Sequence, residues 1–587
     1  MKNIIFVVID SLSYERVQSE RTTPFLCKLM REHTSCERMY AQAPFTEAAL
    51  MGLVCGAQTM TRGGYMMRYR DVPETFLETF AKAGYDVLQF LQPHIYPTSL
   101  ERNLPFSYYN VCFDFAALWA YRLQYFADLF DRGALTPQDV SELIDLLSDN
   151  FRGWTLFLQR VCHGDERVRL IADNIREYDA PEILRQVNAE RAQFEADPEG
   201  YLKTLLRQRQ AHPLFKIPTL NQVDKLHDDA LRDWVRATYT PLMERVRQAQ
   251  AAHGPKSAEV LATLRASASG FLRHPSAQTA KDPLRLLRYY RQRRGGAPVM
   301  ERIAADYDAY KAAPSMGKHF ELFFHWLERA HNPQKPYLAY IHVDDIHNPE
   351  VFFSYDSRDR DTLAEQFERV DAYLQQLPRD YRGSITYDLA LRYMDRELEK
   401  FVAQLTQRGL LQDAVLCITA DHGFSFYDAP LRETAPNNFY RESYHVPCIL
   451  VDEKRGAQRI AGYRQTLDIP ATLLQQAELA QPETMAGKSL FGPARDYVTA
   501  EYMGGGCPDS KRRPIRYAIR NDRWNVVYQA RLDQPFDQGE LVQVFDLTRD
   551  PLERRNLYRR AARQPEVRSL LAVLAQRHEQ LKESQRA

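Results

Sequence analysis

The chain lacks the marks of several large protein classes. No apolar run approaches the roughly 18 residues that a membrane-spanning helix needs. There is no net charge, because 77 Lys and Arg balance 77 Asp and Glu. That removes a bulk electrostatic case for nucleic acid or an anionic membrane as partner. Cysteine is sparse, eight in 587 residues with no CxxC pair, which argues against a disulfide framework or a thiolate zinc site. The scattered cysteines, such as Cys417 in Val415-Leu416-Cys417-Ile418, read as free buried thiols of a reducing compartment. The opening apolar run Ile4–Ile9 ends after six residues at Asp10. No small-residue cleavage site follows, so it reads as a buried strand and not as a leader. What remains, 44% hydrophobic and 26% charged residues, is ordinary globular composition. The expectation is a soluble, cytoplasmic protein.

Four short, nearly continuous apolar runs stand out: Asn3–Ile9, Tyr85–Leu91, Tyr337–Val343 and Ala414–Thr419. They have the character of parallel strands covered on both faces. Helical patterns precede two of them, at Glu74–Ala83 and Asp388–Gln407. Strands alternating with helices predict an α/β fold, a mostly parallel sheet sandwiched by helices. From residue 111 the texture changes to amphipathic helix rich in Arg, Gln, Leu, Ala and Tyr, broken by Pro137, Pro213, Pro218, Pro241, Pro275 and Pro283. The expected organisation is a core in two parts, 1–110 and 316–500, split by a helical insertion at 111–315. A small C-terminal α+β subdomain, 501–562, carries short antiparallel strands at Ile515–Arg520 and Asn525–Tyr528. A helix over 563–587 closes the chain. The stretch Arg285–Arg294, with Tyr289 and Tyr290, suits an anion grip or a solvated helix face.

In such sheets ligands gather beyond the carboxyl ends of the strands, and there the reactive residues converge. Asp10 follows the first run and suits either a hard metal ion or the cap of the next helix. Ala420-Asp421-His422-Gly423 follows the fourth. An adjacent Asp and His before a permissive Gly can both reach one cation, and a mixed oxygen and nitrogen set suits Zn²⁺ or Mn²⁺. Thr46 precedes an apolar helix that closes near Gly56. It reads as an N-cap, with Glu47 in the first turn. A hydroxyl at a helix start can also attack a phosphoryl centre whose oxygens the helix amides hold. Asp10, Thr46, Asp421 and His422 together make a four-ligand set. The third run leads into His342-Val343-Asp344-Asp345-Ile346-His347, a loop whose two His and two Asp fit core packing poorly. His445, in Tyr444-His445-Val446-Pro447, is a further candidate. His347 and His445 are the general-acid candidates for the leaving oxygen. With His342, Asp344 or Asp345 they are also candidates for a second metal or substrate site.

These residues resemble the sulfatase-like branch of the alkaline phosphatase superfamily over roughly 1–110 and 320–560. Val8-Ile9-Asp10 resembles its first metal strand, and Thr22-Thr23-Pro24-Phe25-Leu26 the helix that follows. Thr46 occupies the nucleophile slot, with Gly56 ten residues on. Tyr387-Asp388 to Met394-Asp395 resembles the helix before the Asp-His-Gly strand. His445-Val446-Pro447, Asp468–Leu474 and Phe545–Glu553 with Asn556 resemble later family segments. The departures are specific. Thr46 stands where sulfatases carry the Cys or Ser that becomes formylglycine, and Ala48 and Leu50 replace the accompanying Pro and Arg. Gln92 and His94 fall where an anion-contacting Lys and its neighbouring His would be, and Ser11 replaces the second N-terminal aspartate.

The resemblance implies a metal-dependent phosphodiester or phosphonate monoester hydrolase, or a phospho-group transferase, acting through a phosphothreonine at Thr46. It implies one Zn²⁺ or Mn²⁺ ion, with a second as an alternative, and a small-molecule or glycan-linked phosphoester as substrate. Gln92 and His94 join the substrate or second-metal candidates. Two other readings stand beside it: a sulfuric ester hydrolase with an unmodified threonine, and a non-catalytic sulfatase-like scaffold.

Overall fold

The computed structural model describes residues 2–63, 73–90, 107–109, 115–119, 123–169, 179–217, 229–253, 265, 316–347, 360–378, 384–424, 439–503, 513–553 and 555–584. A ten-stranded sheet forms its frame. The strands, in chain order, are β1 (Asn3–Ile9), β2 (Thr34–Tyr40), β3 (Asp86–Phe90), β4 (Ser107–Tyr109), β5 (Val168–Arg169), β6 (Tyr337–Val343), β7 (Ala414–Thr419), β8 (His445–Val446), β9 (Cys448–Val451) and β10 (Gln458–Gln465). Their order is β10-β2-β9-β7-β1-β6-β3-β4-β5, with β8 pairing to β2. From β7 through β1 to β5 every pairing is parallel. β9 runs antiparallel between β7 and β2. The fold is therefore α/β with a mixed, mostly parallel sheet.

Burial explains why three of these strands are legible as apolar runs. Every residue of β6 and β7 is buried, as is all of β1 after Asn3. A strand covered on both faces needs apolar side chains at successive positions, not alternate ones. β2 and β10 lack such runs. β2 carries Glu37 and Arg38 in its middle, and β10 exposes Gln458, Arg459 and Ala461.

Helices pack around the sheet in two groups. α1 (Pro24–Glu32), α2 (Thr46–Cys55) and α3 (Phe76–Lys82) follow the early strands. Within the region from 111 to 315 come α4 (Pro137–Cys162), α5 (Ala180–Ala196) and α6 (Pro198–Gln208), which pack on one another through Phe151, Phe194 and Tyr201. α4 starts at a capping box made by Thr136 and Asp139, a device that satisfies two otherwise orphaned helix amides. β5 lies in this same region and extends the main sheet beside β4. A two-residue strand is too short to leave a periodic signal. Pro218, Pro275, Pro283 and Arg285–Arg294, with Tyr289 and Tyr290, lie outside the described residues.

In the second half of the core, α7 (Met316–Arg329) packs on β6 and on α8 (Ile385–Gln407), where Phe320 and Phe401 stack at 3.8 Å. α8 also packs on α1, while α9 (Asp468–Gln476) joins α2 and α3. The C-terminal part is a four-stranded antiparallel sheet, β11 (Val498–Tyr502), β12 (Ile515–Arg520), β13 (Trp524–Ala530) and β14 (Glu540–Asp546). α10 (Pro565–Ser584) covers β12 and β13.

Candidate active site

β1, β6 and β7 are neighbours, so their carboxyl ends release Asp10, the 344–347 loop and Asp421 along one edge. Asp10 remains tied to that edge by its N–H, which donates to Val343 O at 2.8 Å. Asp10, Asp421 and His422 are all buried, and each offers a ligand atom within 4.8 Å of the others. Thr46 joins them from the start of α2. Its Oγ1 lies 3.1 Å from Asp10 Oδ2 and 3.2 Å from His422 Nε2.

The expectation that Thr46 caps α2 is corrected. Phe45 sits at the cap in extended conformation, and no side chain accepts a capping hydrogen bond. Thr46 is the first residue inside the helix, so its hydroxyl is free to take partners across the sheet. Gly56 ends the same helix in the left-handed region, with φ 58°, where glycine carries no Cβ penalty.

The chemistry of the cluster follows from its hydrogen bonds. His422 Nδ1 lies 2.6 Å from Gly423 O. A carbonyl only accepts, so Nδ1 carries a proton, and in the neutral ring Nε2 presents its lone pair to Thr46 and the carboxylates. Asp421 Oδ1 accepts from the N–H groups of Ser11 (3.2 Å) and His422 (2.7 Å). Its other oxygen, Oδ2, is buried with no hydrogen-bond partner. A buried carboxylate oxygen left this way is costly unless a positive charge meets it. Burial and the charge of Asp10 push the Asp421 carboxyl up to about 6. Burial acts the same way on Asp10, but the charges of His347, His422 and His342, with the Ser11 hydroxyl, outweigh it and hold that group below its usual value. Two carboxylates so close do not both ionise cheaply without a cation between them. Two carboxylates, an imidazole lone pair and a hydroxyl thus fit one divalent metal ion.

Three residues hold this geometry, and of them the sequence marks only Gly423, as the permissive position that lets Asp421 and His422 reach one ion. Ser11 adopts φ 65°, a conformation that costs a non-glycine residue roughly 1–2 kcal/mol. Its hydroxyl donates to Asp10 Oδ1 at 2.7 Å while its N–H reaches Asp421. Tyr387 of α8 braces the bend, its hydroxyl donating to Ser11 O at 2.7 Å and accepting from Ser13 N–H at 3.3 Å. Gly423 is required for a different reason. A Cβ there would stand 2.0 Å from Glu442 O.

The remaining candidates separate. His342 is fully buried on β6, with Nδ1 3.1 Å from the Tyr340 hydroxyl and Nε2 3.8 Å from Asp421 Oδ2. Asp345 accepts the Met316 N–H at 2.9 and 3.0 Å, which places its carboxylate at the amino end of α7. Asp344 lends its carbonyl to the N–H of His347, 2.9 Å away, in a tight turn. His347 is exposed beside the cluster, and the charge of Asp10, with smaller help from Asp344, Asp421 and Glu47, raises its pKa. His445 does not offer a nitrogen to the cluster. Nδ1 meets Glu15 Oε1 at 2.7 Å, Nε2 meets Glu37 O at 2.9 Å, and the ring stacks on Tyr40 at 4.7 Å. Gln92 and His94 lie outside the described residues.

Residues 280–479 match the Sulfatase family model. Over that span the chain is similar to sulfatases. Among curated relatives, it is 24% identical over 229 residues to arylsulfatase K of Bos taurus, covering 33% of this chain and 39% of that protein. It is 25% identical over 247 residues to choline-sulfatase of Rhizobium meliloti (strain 1021), covering 38% and 44%. The chain therefore spans less than half the length of either relative. Among solved structures, phosphonate monoester hydrolase of Agrobacterium radiobacter superposes with a TM-score of 0.47 at 14% identity, covering 99% of this chain and 96% of that one. Among the described residues no helix is long and apolar enough to cross a membrane.

Proposed function

We propose that this chain is a metal-dependent phosphoester hydrolase or phospho-group transferase that works through a phosphothreonine at Thr46. The observation that supports it is the Thr46 hydroxyl, free of capping and held 3.1 Å from Asp10 Oδ2 and 3.2 Å from His422 Nε2. A threonine offers no route to the formylglycine aldehyde, so the nucleophile is an alkoxide oxygen. Asp10, Thr46, Asp421 and His422 would hold one Zn²⁺ or Mn²⁺ ion, which when bound lowers the pKa of a hydroxyl and draws charge from a phosphoryl oxygen.

Asp10 Oδ2 accepts the Thr46 proton and aims the oxygen's lone pair outward. The first-turn amides of α2, which a helix leaves without intrahelical acceptors, are the donors proposed for the phosphoryl oxygens. Thr46 Oγ1 forms its bond to phosphorus as the bond to the leaving alcohol breaks, and His347 gives that alcohol its proton. His347 then takes a proton from water, or from an acceptor hydroxyl, as that oxygen attacks phosphorus and the bond to Thr46 Oγ1 breaks, with Asp10 returning its proton to Thr46. His347 carries this role in preference to His445, whose ring nitrogens are both bonded elsewhere. The substrate class is a small or glycan-linked phosphoester.

The names of the two curated relatives favour a second reading, sulfate ester hydrolysis by the same unmodified threonine. Turnover of bis(p-nitrophenyl) phosphate and p-nitrophenyl sulfate, each with Mn²⁺ or Zn²⁺, separates them. The proposal expects metal-dependent phosphodiester turnover that exceeds sulfate turnover. The reverse preference supports the second reading, and turnover of neither ester by metal-loaded protein counts against both.

A further inference from the structure

β6 is covered on both faces, yet it carries Tyr340 and His342 among apolar neighbours, both fully buried. Two positions apart, they share one face of the strand. The Tyr340 hydroxyl meets His342 Nδ1 at 3.1 Å, and the two rings lie edge to face with centroids 6.0 Å apart. The other ring nitrogen, Nε2, stands 3.8 Å from Asp421 Oδ2. The register explains this reach. Val8 of β1 pairs with His342 on one side and with Thr419 on the other. His342 is therefore level with the end of β7, two residues before Asp421.

The Tyr340 hydrogen bond sets the tautomer of His342. Burial, with the charges of Asp421 and Asp10, raises the Tyr340 phenol well above its ordinary value, so it keeps its proton. A buried phenol gives that proton to an acceptor in reach, here His342 Nδ1. In the neutral ring the imidazole proton then sits on Nε2, the nitrogen nearer Asp421 Oδ2. At 3.8 Å this pair is longer than a hydrogen bond, so the ring acts on the carboxylate as an N–H dipole across a dry gap. A ring protonated at Nε2 donates there and does not ligate, which separates His342 from His422. We propose that His342 is a positioning residue of the metal site: fixed by Tyr340, its Nε2–H holds the Asp421 carboxylate in the cluster and offsets part of the charge that Asp10 and Asp421 bring together. The inference rests on the reading of Asp10, Thr46, Asp421 and His422 as the metal ligands.

Metal affinity of the full chain tests it, read by competition with a chromophoric chelator for Mn²⁺ and for Zn²⁺, with the thermal midpoint of each metal-free protein measured alongside. His342→Leu is expected to weaken binding by about tenfold to a hundredfold. His342→Gln, whose terminal amide can set an N–H near the Nε2 position, should recover part of that loss. Tyr340→Phe, which removes the donor that fixes the tautomer, should weaken binding by a smaller factor. A purely structural ring would lower the metal-free midpoint in these variants and leave the affinity of the folded protein at the wild-type value, which would overturn the assignment. Loss in both His342 variants as complete as in Asp421→Ala would make His342 a ligand and overturn it too. If His342→Leu does not fold, His342→Gln and Tyr340→Phe carry the test, and wild-type affinity in both overturns the assignment. Asp421→Ala separates the two levels of the argument. If it loses the ion while the His342 and Tyr340 variants bind as wild type, the ligand set stands and the assignment falls. If wild type itself binds neither ion, the ligand set fails and takes the assignment with it.

Discussion

His422 and His445 have the same burial, each 6% exposed; His422 follows Asp421 after β7, and His445 opens β8 after Tyr444. They differ in what the second ring nitrogen does. His422 spends Nδ1 on Gly423 O and leaves Nε2 facing Thr46 and two carboxylates. His445 spends both nitrogens, on Glu15 and Glu37 O, and lies between Tyr14 and Tyr40. A buried histidine becomes a ligand or a catalyst only when its surroundings leave one nitrogen unspent. Residue type and burial alone do not separate the two.

The largest effect that sharpens this contrast is loss of the nucleophile. Thr46→Ala should lower kcat by about a thousandfold or more, while metal content, read by elemental analysis of the purified protein, falls only in part because three of the four proposed ligands remain. His422→Ala should abolish both metal retention and turnover. His445→Phe should cost roughly 1–3 kcal/mol of stability in chemical denaturation yet keep its metal. If His445→Phe lost the ion and His422→Ala kept it, the contrast would be reversed. Gly423→Ala falls between them. Its Cβ must push Glu442 O away, so turnover should drop by about a hundredfold, with a smaller fall in thermal midpoint than an apolar core cavity brings.

The smallest effect is in pH dependence. Burial raises the Glu15 carboxyl, but His445 and Arg441 outweigh it and hold it down to about 2, from an ordinary 4.5. A carboxylate lowered on folding stabilises the fold above its unfolded pKa, and that contribution drains away as pH falls from 4.5 toward 2. Thermal midpoints of wild type should therefore decline over this window more steeply than those of Glu15→Gln. Parallel curves would show that the Glu15 to His445 contact carries no such linkage.

Much of the frame is legible in the chain because it is local. β1, β6 and β7 are continuous apolar runs, and the candidate site residues Asp10 and Asp421 are the first polar ones after β1 and β7. Asp10, Asp421 and His422 can be read in this way, and Thr46 by its place before an apolar helix. What cannot be read is fixed across long separations. Tyr387 reaches Ser11 over 376 positions and Glu15 reaches His445 over 430, so no local pattern announces either contact. The capping role read for Thr46 failed on a backbone matter, since the extended conformation of Phe45 puts Thr46 one position inside the helix. β2 and β10 went unseen because their polar faces break the apolar pattern.

The central claim is that Thr46 Oγ1 forms the covalent bond. Acid quench of the metal-loaded protein during turnover of bis(p-nitrophenyl) phosphate, followed by peptide mass spectrometry, reads it directly. A phosphoryl adduct on Thr46, absent without metal and absent in Thr46→Ala, is the expected result. An adduct on another residue, or steady turnover by Thr46→Ala with no adduct in either protein, would contradict it.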